Sequence, residues 1–371
     1  MEPFIFQVAI LTLCLLALSL TLLNALTIWR AKLPPRHWAA GVSLMIPMRN
    51  EARNVSPLAD SLQRSLQDEK ERSTWEVIAI DDQSSDETGQ LLALAKERIT
   101  ELKVLEGQNP PAGWLGKPAA QERLFQVSTG RYLVFIDADV RLEPGAISAA
   151  ISTMESNEWE WISPYPRQVA VTFLERVIQP LLQWSWFASV PLRLAAKLRL
   201  PSMAVANGQF FVVTREALSS IGGFESVKGE VLEDIELARR LWQAGFAGSV
   251  VDGSAIAHCR MYESSQELID GYSKSLWRAF GSPVGAAVAL LLMVTTSWLP
   301  LVAGILGAAW GWIAFFAISL SRLIAALRTA SFWQSFLLHP LSVALLLYLV
   351  FRSFRLKRAG ALTWRDRAIP T

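Results

Sequence analysis

The strongest constraint on this chain of 371 residues is the concentration of its apolar residues in two long runs at opposite ends. The first run covers residues 4–29 and the second about 283–352, whereas residues 43–280 carry most of the acidic residues. An apolar run of about 20 residues is long enough to cross a bilayer as a helix. The pattern therefore predicts a soluble domain held between membrane anchors.

This division predicts four regions along the chain. They are an anchor at residues 1–30, a soluble domain at 40–280, a membrane region of two to three helices at 283–352, and a basic tail at 353–371. The apolar stretch 283–320 is too long for one span, and Ser297 to Pro300 is a candidate turn within it. Residues 4–29 fit an uncleaved anchor better than a signal peptide, because they lack a basic start and a small-residue cleavage site.

Basic residues flank the apolar runs and predict the orientation. Arg30, Lys32 and Arg36 follow the first run and place the soluble domain in the cytoplasm, which fits a bacterial inner membrane protein. Arg322, Arg328 and a tail that includes Arg365 and Arg367 also prefer the cytoplasm, yet three full crossings would put that tail outside. One of the C-terminal segments is therefore expected to be re-entrant or interfacial.

Net charge and cysteine usage limit the partners and the compartment. A net charge of only +2 gives no reason to expect nucleic-acid binding. Cys14 and Cys259, the only two cysteines, fall in different predicted regions, so no disulfide between them is expected. A reducing compartment fits this usage.

Three short apolar segments of the soluble region read as strands, each followed by a helix-like segment. They are Gly41 to Pro47, Trp75 to Asp81 and Arg131 to Ile136. Alternating strands and helices predict an α/β fold with a mostly parallel sheet, whose ligands bind at the carboxyl ends of the strands. All three strands end in polar or charged residues, which is where a nucleotide site is expected.

The third strand ends in Asp137-Ala138-Asp139, whose two carboxylates are spaced to reach one face. Two hard oxygen donors suit Mg²⁺ or Mn²⁺ better than zinc, since Mg²⁺ commonly binds one or two carboxylates plus substrate phosphates. A simple Asp-initiated turn explains the same pattern when it is taken alone. Position at a strand end favours the metal site.

The first two strands end in a second group of candidate residues. Asp82 and Asp86 are candidates to recognise the base and ribose of a nucleotide, with the alternative that Ser84 or Ser85 caps the helix that begins near Glu87. The end of the first strand contributes Pro47, Arg49, Asn50 and Glu51 as nucleotide-sugar-binding candidates.

Two further segments carry charge suited to chemistry on a diphosphate. The loop Gly113 to Pro118 delivers Lys117 just before a helix-like segment, Ala119 to Ser128, and either neutralises a diphosphate or is a solvated turn. Glu233 and Asp234 open an amphipathic helix, where capping accounts for one acid. Asp234 is the candidate general base, although a helix N-terminus stabilises its ionised form and so weakens it.

Residues 168–200 combine aromatic residues with a basic end and suit either a helix at the membrane interface or burial in a core. The three histidines, His37, His258 and His339, occur in unrelated environments, and no nucleophile-elbow sequence accompanies them. A serine or cysteine hydrolase is therefore not expected.

Taken in order, these segments resemble the membrane-bound enzymes of glycosyltransferase family 2, which have a GT-A fold. The resemblance covers residues 43 to about 280 and also includes two glycine-containing segments, Asn207-Gly208-Gln209-Phe210 and Ile221-Gly222-Gly223-Phe224. It implies that Asp82 contacts the nucleotide, that Asp137 and Asp139 hold a metal-diphosphate, and that Asp234 is the base of an inverting transfer. Gln209 and Glu233 are nucleotide-sugar-binding candidates on the same ground.

Within that family the chain most resembles bacterial carotenoid glycosyltransferases, with ceramide and hopanoid glycosyltransferases as near relatives. The segments that carry this resemblance are Gly113 to Lys117, Ala206 to Gln209, Arg260 to Tyr262 and His339-Pro340. This implies a UDP- or GDP-sugar donor, a lipid acceptor and transfer of a single sugar to a hydroxyl or carboxylate. The usual Gln/Arg-x-x-Arg-Trp motif is incomplete, and Trp277 is the candidate for its Trp. The alternatives are glycosylation of ceramide, a hopanoid or diacylglycerol, a polysaccharide synthase, and a membrane scaffold without activity.

Overall fold

The computed structural model of the chain describes residues 2–69, 74–364 and 367–368. Arg365 and the end of the predicted tail, 369–371, lie outside the described residues. The chain divides into two compact units. The soluble unit comprises Trp29–Arg167 and Leu194–Arg260, and the helical unit comprises Met1–Ile28, Gln168–Arg193 and Met261–Thr371.

The described residues form the following strands: β1 Val42–Met48, β2 Glu76–Asp81, β3 Leu102–Glu106, β4 Tyr132–Ile136, β5 Val140–Leu142, β6 Trp161–Tyr165, β7 Arg167–Gln168, β8 Phe210–Thr214, β9 Gly248–Asp252, β10 Ala257–Cys259, β11 Thr363–Trp364 and β12 Arg367–Ala368. The helices are α1 Glu2–Thr27, α2 Ala52–Asp68, α3 Thr88–Arg98, α4 Gly116–Val127, α5 Ala146–Glu155, α6 Phe173–Ser189, α7 Leu192–Leu198, α8 Arg215–Ser220, α9 Glu233–Gln243, α10 Ser265–Ser273, α11 Leu276–Ala279, α12 Pro283–Ile305, α13 Ala309–Arg328 and α14 His339–Arg358.

The soluble unit is built on a seven-stranded mixed sheet with the order β3-β2-β1-β4-β8-β6-β9. The first four strands of this order are parallel, β8 runs antiparallel to both of its neighbours, and β6 and β9 are parallel to each other. A second sheet has three strands in the order β5-β10-β7, and β5 and β10 pair antiparallel within it. The predicted α/β fold with a mostly parallel sheet is confirmed.

The central strands are apolar along nearly their whole length because both faces of the sheet are covered. All five residues of β4 are buried, as are all but Pro47 in β1. Continuous apolar runs of this kind are typical of parallel strands packed between helices. The three strands predicted from sequence are present within one residue at each end.

The helical unit contains four helices long and apolar enough to cross a membrane, within the part of the chain that the structure describes: Phe4–Thr27, Pro283–Ile305, Ala309–Arg328 and Trp333–Arg358. The turn predicted at Ser297 to Pro300 is wrong. α12 continues through Pro300, and the chain turns at residues 306–308 instead. Gly307 adopts a left-handed φ of +91° there, which glycine reaches at little cost, whereas Pro300 removes only one hydrogen bond from an otherwise intact helix.

Hydrogen bonds within the helical unit fix the relative directions of its helices. Thr21 of α1 and Ser321 of α13 share a hydrogen bond of 2.7 Å, and Arg328 Nε donates to the carbonyl of Ala25 at 2.9 Å. α1 and α13 therefore run side by side in the same direction, and both finish at the same end of the bundle. The short turn after α12 makes α12 antiparallel to α13, so α12 begins at that end.

Both ends of α14 lie toward this same end of the bundle. Its first residue, His339, lies 3.3 Å from Arg322, less than two turns before the end of α13. Near its C-terminus, Ser353 Oγ accepts the N–H of Trp277 at 2.9 Å, and Lys357 Nζ lies 3.6 Å from the centre of the Trp277 ring. Trp277 belongs to α11, which immediately precedes α12 along the chain.

Candidate active site

Five predicted segments of the soluble unit meet at one edge of the sheet. The carboxyl ends of β1, β2 and β4 lie side by side because these strands are parallel neighbours. β8 is antiparallel, so the segment before it, Asn207 to Gln209, reaches the same edge, and the N–H of Asp137 donates to the carbonyl of Gln209 at 3.1 Å. The N-terminus of α9 reaches this edge through a hydrogen bond from the Gly208 N–H to Asp234.

Lys117 connects two of these segments, the end of β4 and the start of α9. Its Nζ lies 2.9 Å from an Oδ of Asp137 and 2.9 Å from an Oε of Glu233. Lys117 was predicted in a loop before a helix that starts at Ala119, but α4 starts at Gly116 and includes it. Pro118 does not prevent this, because proline is tolerated in the first helical turn where amides have no intrahelical partner.

The carboxylates of Asp137 and Glu233 keep Lys117 protonated. Burial alone would lower its pKa, but the negative charges of Asp137 and Glu233 and their hydrogen bonds outweigh burial and raise the pKa well above its usual value. Lys117 is therefore a fixed positive charge. It is not a candidate for a neutral amine base or nucleophile.

Asp139 occupies a more constrained position than Asp137. Burial, followed by the charges of Asp137 and Glu51, raises the pKa of Asp139 to about 7, although the Cys259 thiol and Lys117 act in the opposite direction. Its Oδ1 is buried and has no hydrogen-bond partner among the described residues. A buried carboxylate oxygen without a partner is costly, so this position favours a bound cation.

Asp234 lies at the start of α9, as predicted, with one Oδ accepting the Gly208 N–H at 2.6 Å. Burial and the charge of Glu233 raise the pKa of Asp234 to about 6, and Lys117 and the amides of Ile235 and Gly208 only partly offset this. The weakening expected from a helix N-terminus alone is therefore outweighed. Asp234 is a stronger base than its sequence position indicates.

Gly208 allows the close approach of Asp234 to this loop. A Cβ atom at residue 208 would lie 3.3 Å from both the Asp234 Cβ and the Lys117 Nζ. These distances are tighter than ordinary van der Waals contact. The absence of a side chain at residue 208 therefore sets the spacing between the candidate base and the lysine.

The ends of β1 and β2 are joined by hydrogen bonds that shape the predicted nucleotide region. Arg49 Nη1 donates to the carbonyls of Asp82 and Gln83, each at 2.7 Å. Asn50 has a left-handed φ of +51°; its N–H donates to Ser84 Oγ at 2.9 Å, and its Oδ1 accepts the N–H of the next serine. The two strand ends form one rigid surface, in which Asp82 is buried.

Asp86 caps two helices at once. Its carboxylate accepts the N–H of Ala52 in α2 and the N–H and hydroxyl of Thr88 in α3. Burial would raise the pKa of Asp86, but these hydrogen bonds lower it. The alternative that Ser84 or Ser85 caps α3 is wrong, because α3 begins at Thr88 and Ser84 Oγ instead accepts the N–H of Asn50. A nucleotide contact by Asp86 stays a prediction.

Two residues that the sequence did not single out support Asp139. Cys259 forms a hydrogen bond with Asp139, and its thiol also accepts the side-chain N–H of Gln209 at 3.0 Å; burial, followed by the Asp139 charge, raises its pKa well above the usual value. Arg141 donates to the carbonyl of Ala138 at 2.7 Å and to Asn54 at 2.8 Å.

The register of β5 and β10 brings both residues to the acids, because Cys259 pairs with Val140 and His258 pairs with Arg141. Only the pairing of these two short strands reveals the proximity. Their separation in sequence gives no signal of it.

Trp277 belongs to the helical unit, apart from the segments described above. Its indole Nε1 donates to the carbonyl of Lys274 at 3.1 Å. Its predicted contact with the nucleotide sugar stays a prediction.

The donor set fits a divalent cation that keeps open coordination positions. Among the described residues there is no cluster of three or more His, Cys, Asp or Glu side chains arranged to hold a metal. Asp137 and the unpartnered Oδ1 of Asp139 supply hard oxygen atoms, and phosphate oxygens and water would complete an octahedral site. These residues fit Mg²⁺ or Mn²⁺ and lack the four protein ligands of a structural zinc site.

Residues 43–222 match the model of the family described as "Glycosyl transferase family 2". This range includes the four parallel strands, Lys117 and the Asp137-Ala138-Asp139 segment, and it ends before Glu233. A solved mannosyltransferase from Pyrobaculum calidifontis, in complex with GDP-Man and Mn²⁺, aligns over 98% of this chain and 100% of its own with a TM-score of 0.52 at 16% identity. The soluble unit has the GT-A fold, and the comparisons support a family 2 glycosyltransferase.

Two curated relatives have names that concern lipids. A beta-monoglucosyldiacylglycerol synthase of Trichormus variabilis is 25% identical over 215 residues, covering 54% of this chain and 41% of that protein. A dodecaprenyl-phosphate galacturonate synthase of Rhizobium johnstonii is 28% identical over 121 residues, covering 32% of this chain and 33% of that protein. The chain spans less than half the length of both relatives.

Proposed function

We propose that this protein transfers one sugar from a nucleotide-sugar donor to a lipid of the membrane that holds it, with inversion at the anomeric carbon. The observation that carries the proposal is the convergence of Lys117, Asp139 and Asp234 at the carboxyl edge of a GT-A sheet. A fixed cation, a carboxylate with one unpartnered oxygen and a carboxylate with a raised pKa are the groups that such a transfer requires.

The donor binds along the carboxyl edge of the sheet in this proposal. Asp82, Arg49 and Asn50 recognise the nucleoside on the rigid surface at the ends of β1 and β2. The diphosphate then lies toward Lys117 and Asp137. A UDP- or GDP-sugar fits this arrangement, and the solved mannosyltransferase of the same fold contains GDP-Man.

Charge compensation drives departure of the nucleoside diphosphate. A divalent cation held by Asp137 and Asp139 would neutralise negative charge on the leaving group. Lys117 holds its position between Asp137 and Glu233 before the donor arrives, so little reorganisation is needed during the reaction.

Asp234 acts as the general base on the acceptor. Its pKa of about 6 leaves it mostly ionised at neutral pH and still able to accept a proton from a hydroxyl as the new bond forms. If the acceptor group is a carboxylate, no proton needs to be removed, and Asp234 then only positions the acceptor.

A membrane lipid is the proposed acceptor because four apolar helices accompany the GT-A unit and the relatives' names concern lipids. The resemblance of the motifs favours a carotenoid. The names of the two relatives support diacylglycerol and a prenyl phosphate as alternatives.

Mass spectrometry of lipids from cells with and without the gene tests this function, because it reads the mass of acceptor and sugar together. The expected result is a glycolipid with one added sugar that disappears with the gene and does not return with the Asp139→Asn variant. A polymer product, or an unchanged lipid profile, would refute the proposal.

The direction of the helices supports a cytoplasmic soluble unit with α14 at the membrane interface. Both ends of α14 lie toward the end of the bundle where α1 finishes, and α1 leads along the chain into the soluble unit. In this topology α1, α12 and α13 cross the bilayer and the basic tail stays inside, which resolves the charge conflict. Reporter fusions after residues 307 and 360 test it: the first should lie outside the cytoplasm and the second inside, whereas an external reporter at 360 would contradict it.

A further inference from the structure

Arg322 is a fully buried cation in the helical unit, with a relative exposure of 1%. No carboxylate of the described residues lies within ion-pair distance of it. Buried arginines are almost always paired with an anion, and ionisable residues within membrane segments commonly mark functional sites. The position of Arg322 on α13 therefore requires an explanation.

The unpaired atoms of Arg322 lie on one edge of the guanidinium group. Nη1 contacts the Nδ1 of His339 at 3.3 Å, whereas Nε and Nη2 are buried without a hydrogen-bond partner among the described residues. Nε and Nη2 point in the same direction and form the edge that binds two oxygen atoms of a carboxylate or phosphate at once. The contact with His339 leaves this edge available.

The surroundings hold Arg322 in place and offer further polar atoms. The His339 ring packs edge-on against Trp184 of α6 at 5.3 Å, and Trp184 Nε1 donates to Ser321 at 2.7 Å. The Nε2 of His339 is also buried without a partner among the described residues. Helices α6, α13 and α14 thus all contribute to this polar cluster, which consists of Trp184, Ser321, Arg322 and His339.

The depth of the cluster matches the polar head of a lipid. Arg322 lies six residues before the end of α13, which corresponds to about 9 Å along a helix. That end carries Arg328, the residue that binds the last turn of α1. A group that enters from the lipid side at this depth comes from a lipid headgroup or from the polar end of a lipid within the bilayer.

We propose that the polar cluster binds the anionic group of a membrane lipid, a carboxylate or a phosphate, through the Nε and Nη2 atoms of Arg322. The anion supplies the two hydrogen bonds and the negative charge that the chain itself does not provide. The occupancy of the cluster is measurable without sugar transfer.

Thermal unfolding of the delipidated full-length protein in detergent tests the site, with tryptophan fluorescence as the readout. Phosphatidylglycerol and oleate are the anionic probes, and oleyl alcohol, which has no anionic group, is the comparison. In the wild type we expect both anionic probes to raise Tm by several degrees, with half-saturation at a concentration at least tenfold below that of oleyl alcohol. Equal effects of all three probes would overturn the proposal.

Three variants separate an anion site from a structural arginine. Arg322→Gln should abolish the anion-dependent rise in Tm, whereas Arg328→Gln, on the same helix, should retain it. Arg322→Lys keeps the charge but loses the paired donors, so half-saturation should rise at least fivefold. Because the lysine variant preserves a cation, it decides the question if Arg322→Gln does not fold. An unchanged response in either Arg322 variant would overturn the proposal.

The bound anion belongs either to the acceptor lipid or to a surrounding phospholipid. The apparent KM for acceptor lipid, measured with added phosphatidylglycerol, distinguishes these two sources. If the cluster holds the anionic group of the acceptor itself, which rests on the proposed function, phosphatidylglycerol should raise the apparent KM for acceptor lipid at least threefold. If it holds a surrounding phospholipid, KM should stay within twofold; both results support the site. Loss of all transfer with the Tm response intact would refute the proposed function alone.

Discussion

The two units differ in whether a buried cation is paired with carboxylates of the protein. In the soluble unit, Lys117 is paired with two acids, and the surrounding carboxyl groups outnumber the cations: Glu51, Asp137, Asp139, Glu233 and Asp234 against Lys117 and Arg141. In the helical unit, the buried side chain of Arg322 forms no ion pair with a carboxylate of the described residues. One site has an excess of negative charge and the other an unpaired positive charge.

The contrast shows that each unit buries a charged group that the described residues do not fully satisfy. Asp139 Oδ1 has no hydrogen-bond donor among them, and Arg322 Nε and Nη2 have no acceptor. Buried charges without partners are expensive, so both positions are better explained by a ligand than by stability. Three experiments on the soluble unit test its half of the contrast, beginning with the largest expected effect.

Removing either candidate catalytic carboxylate should nearly abolish sugar transfer. We expect Asp139→Asn and Asp234→Asn each to lower kcat by about 10²- to 10⁴-fold, because one removes a ligand of the cation and the other removes the base. The measurement is release of nucleoside diphosphate from a panel of UDP- and GDP-sugars with membrane lipid extract.

Asp60→Asn is the matched control for these two variants. Asp60 forms an exposed ion pair with Arg98 at 2.5 Å in the same unit, so its loss should change kcat less than twofold. Wild-type turnover in both Asp139→Asn and Asp234→Asn would show that these two carboxyl groups do not act as the cation ligand and the base.

Removing the one lysine of the network should lower activity and stability together. Lys117→Met leaves Asp137 and Glu233 without their shared cation, and we expect kcat to fall about 10²-fold and the free energy of unfolding to fall by about 1–3 kcal/mol. Urea denaturation measures the second effect. Lys103→Met removes an exposed partner of Glu76 and should cost less than about 1 kcal/mol; equal losses in the two variants would contradict the special role of Lys117.

Neutralising Asp139 should stabilise the metal-free protein, and more so at high pH. The folded pKa of about 7 lies above the unfolded value of about 3.9. The folded state therefore keeps a proton that the unfolded state releases, and the free energy of unfolding falls as pH rises from about 4 to 7. Asp139→Asn lacks this loss of stability, so its gain in free energy of unfolding over wild type should be about 2–3 kcal/mol larger at pH 8 than at pH 5.

Urea denaturation in the presence of EDTA at the two pH values measures this gain. Addition of Mn²⁺ at pH 8 should raise the stability of the wild type and leave Asp139→Asn nearly unchanged. A gain independent of pH would show that Asp139 is not a strained, buried carboxyl group.

The sequence predicted most of the fold because its periodic signals are strong. The three predicted strands and the acid-bearing start of α9 are confirmed because apolar runs and polar strand ends are local features. The prediction of a turn at Ser297 to Pro300 was wrong. A Ser-Trp-Leu-Pro segment resembles a turn locally, but the apolar helix α12 tolerates the proline and continues through it.

The supporting residues of the site could not be predicted because their proximity is created by tertiary pairing. Cys259 and Asp139 are 120 positions apart in the chain, and only the antiparallel pairing of β5 with β10 brings them together. In the same way, the raised pKa of Asp234 depends on burial that a helix-start pattern does not contain. The contact of Arg322 with His339 depends on the packing of α13 against the start of α14, which hydropathy alone does not reveal.

The hydrogen bond from the Gly208 N–H to Asp234 has a consequence for the order of events in the proposed reaction. The bond is strong while Asp234 is ionised, because amides donate more strongly to a carboxylate than to a neutral acid. Proton transfer from the acceptor would neutralise that carboxylate and weaken its hold on the loop before β8. We therefore expect the loop at residues 207–209 to loosen as the glycosylated product forms, so that the chemical step itself prepares the release of the product.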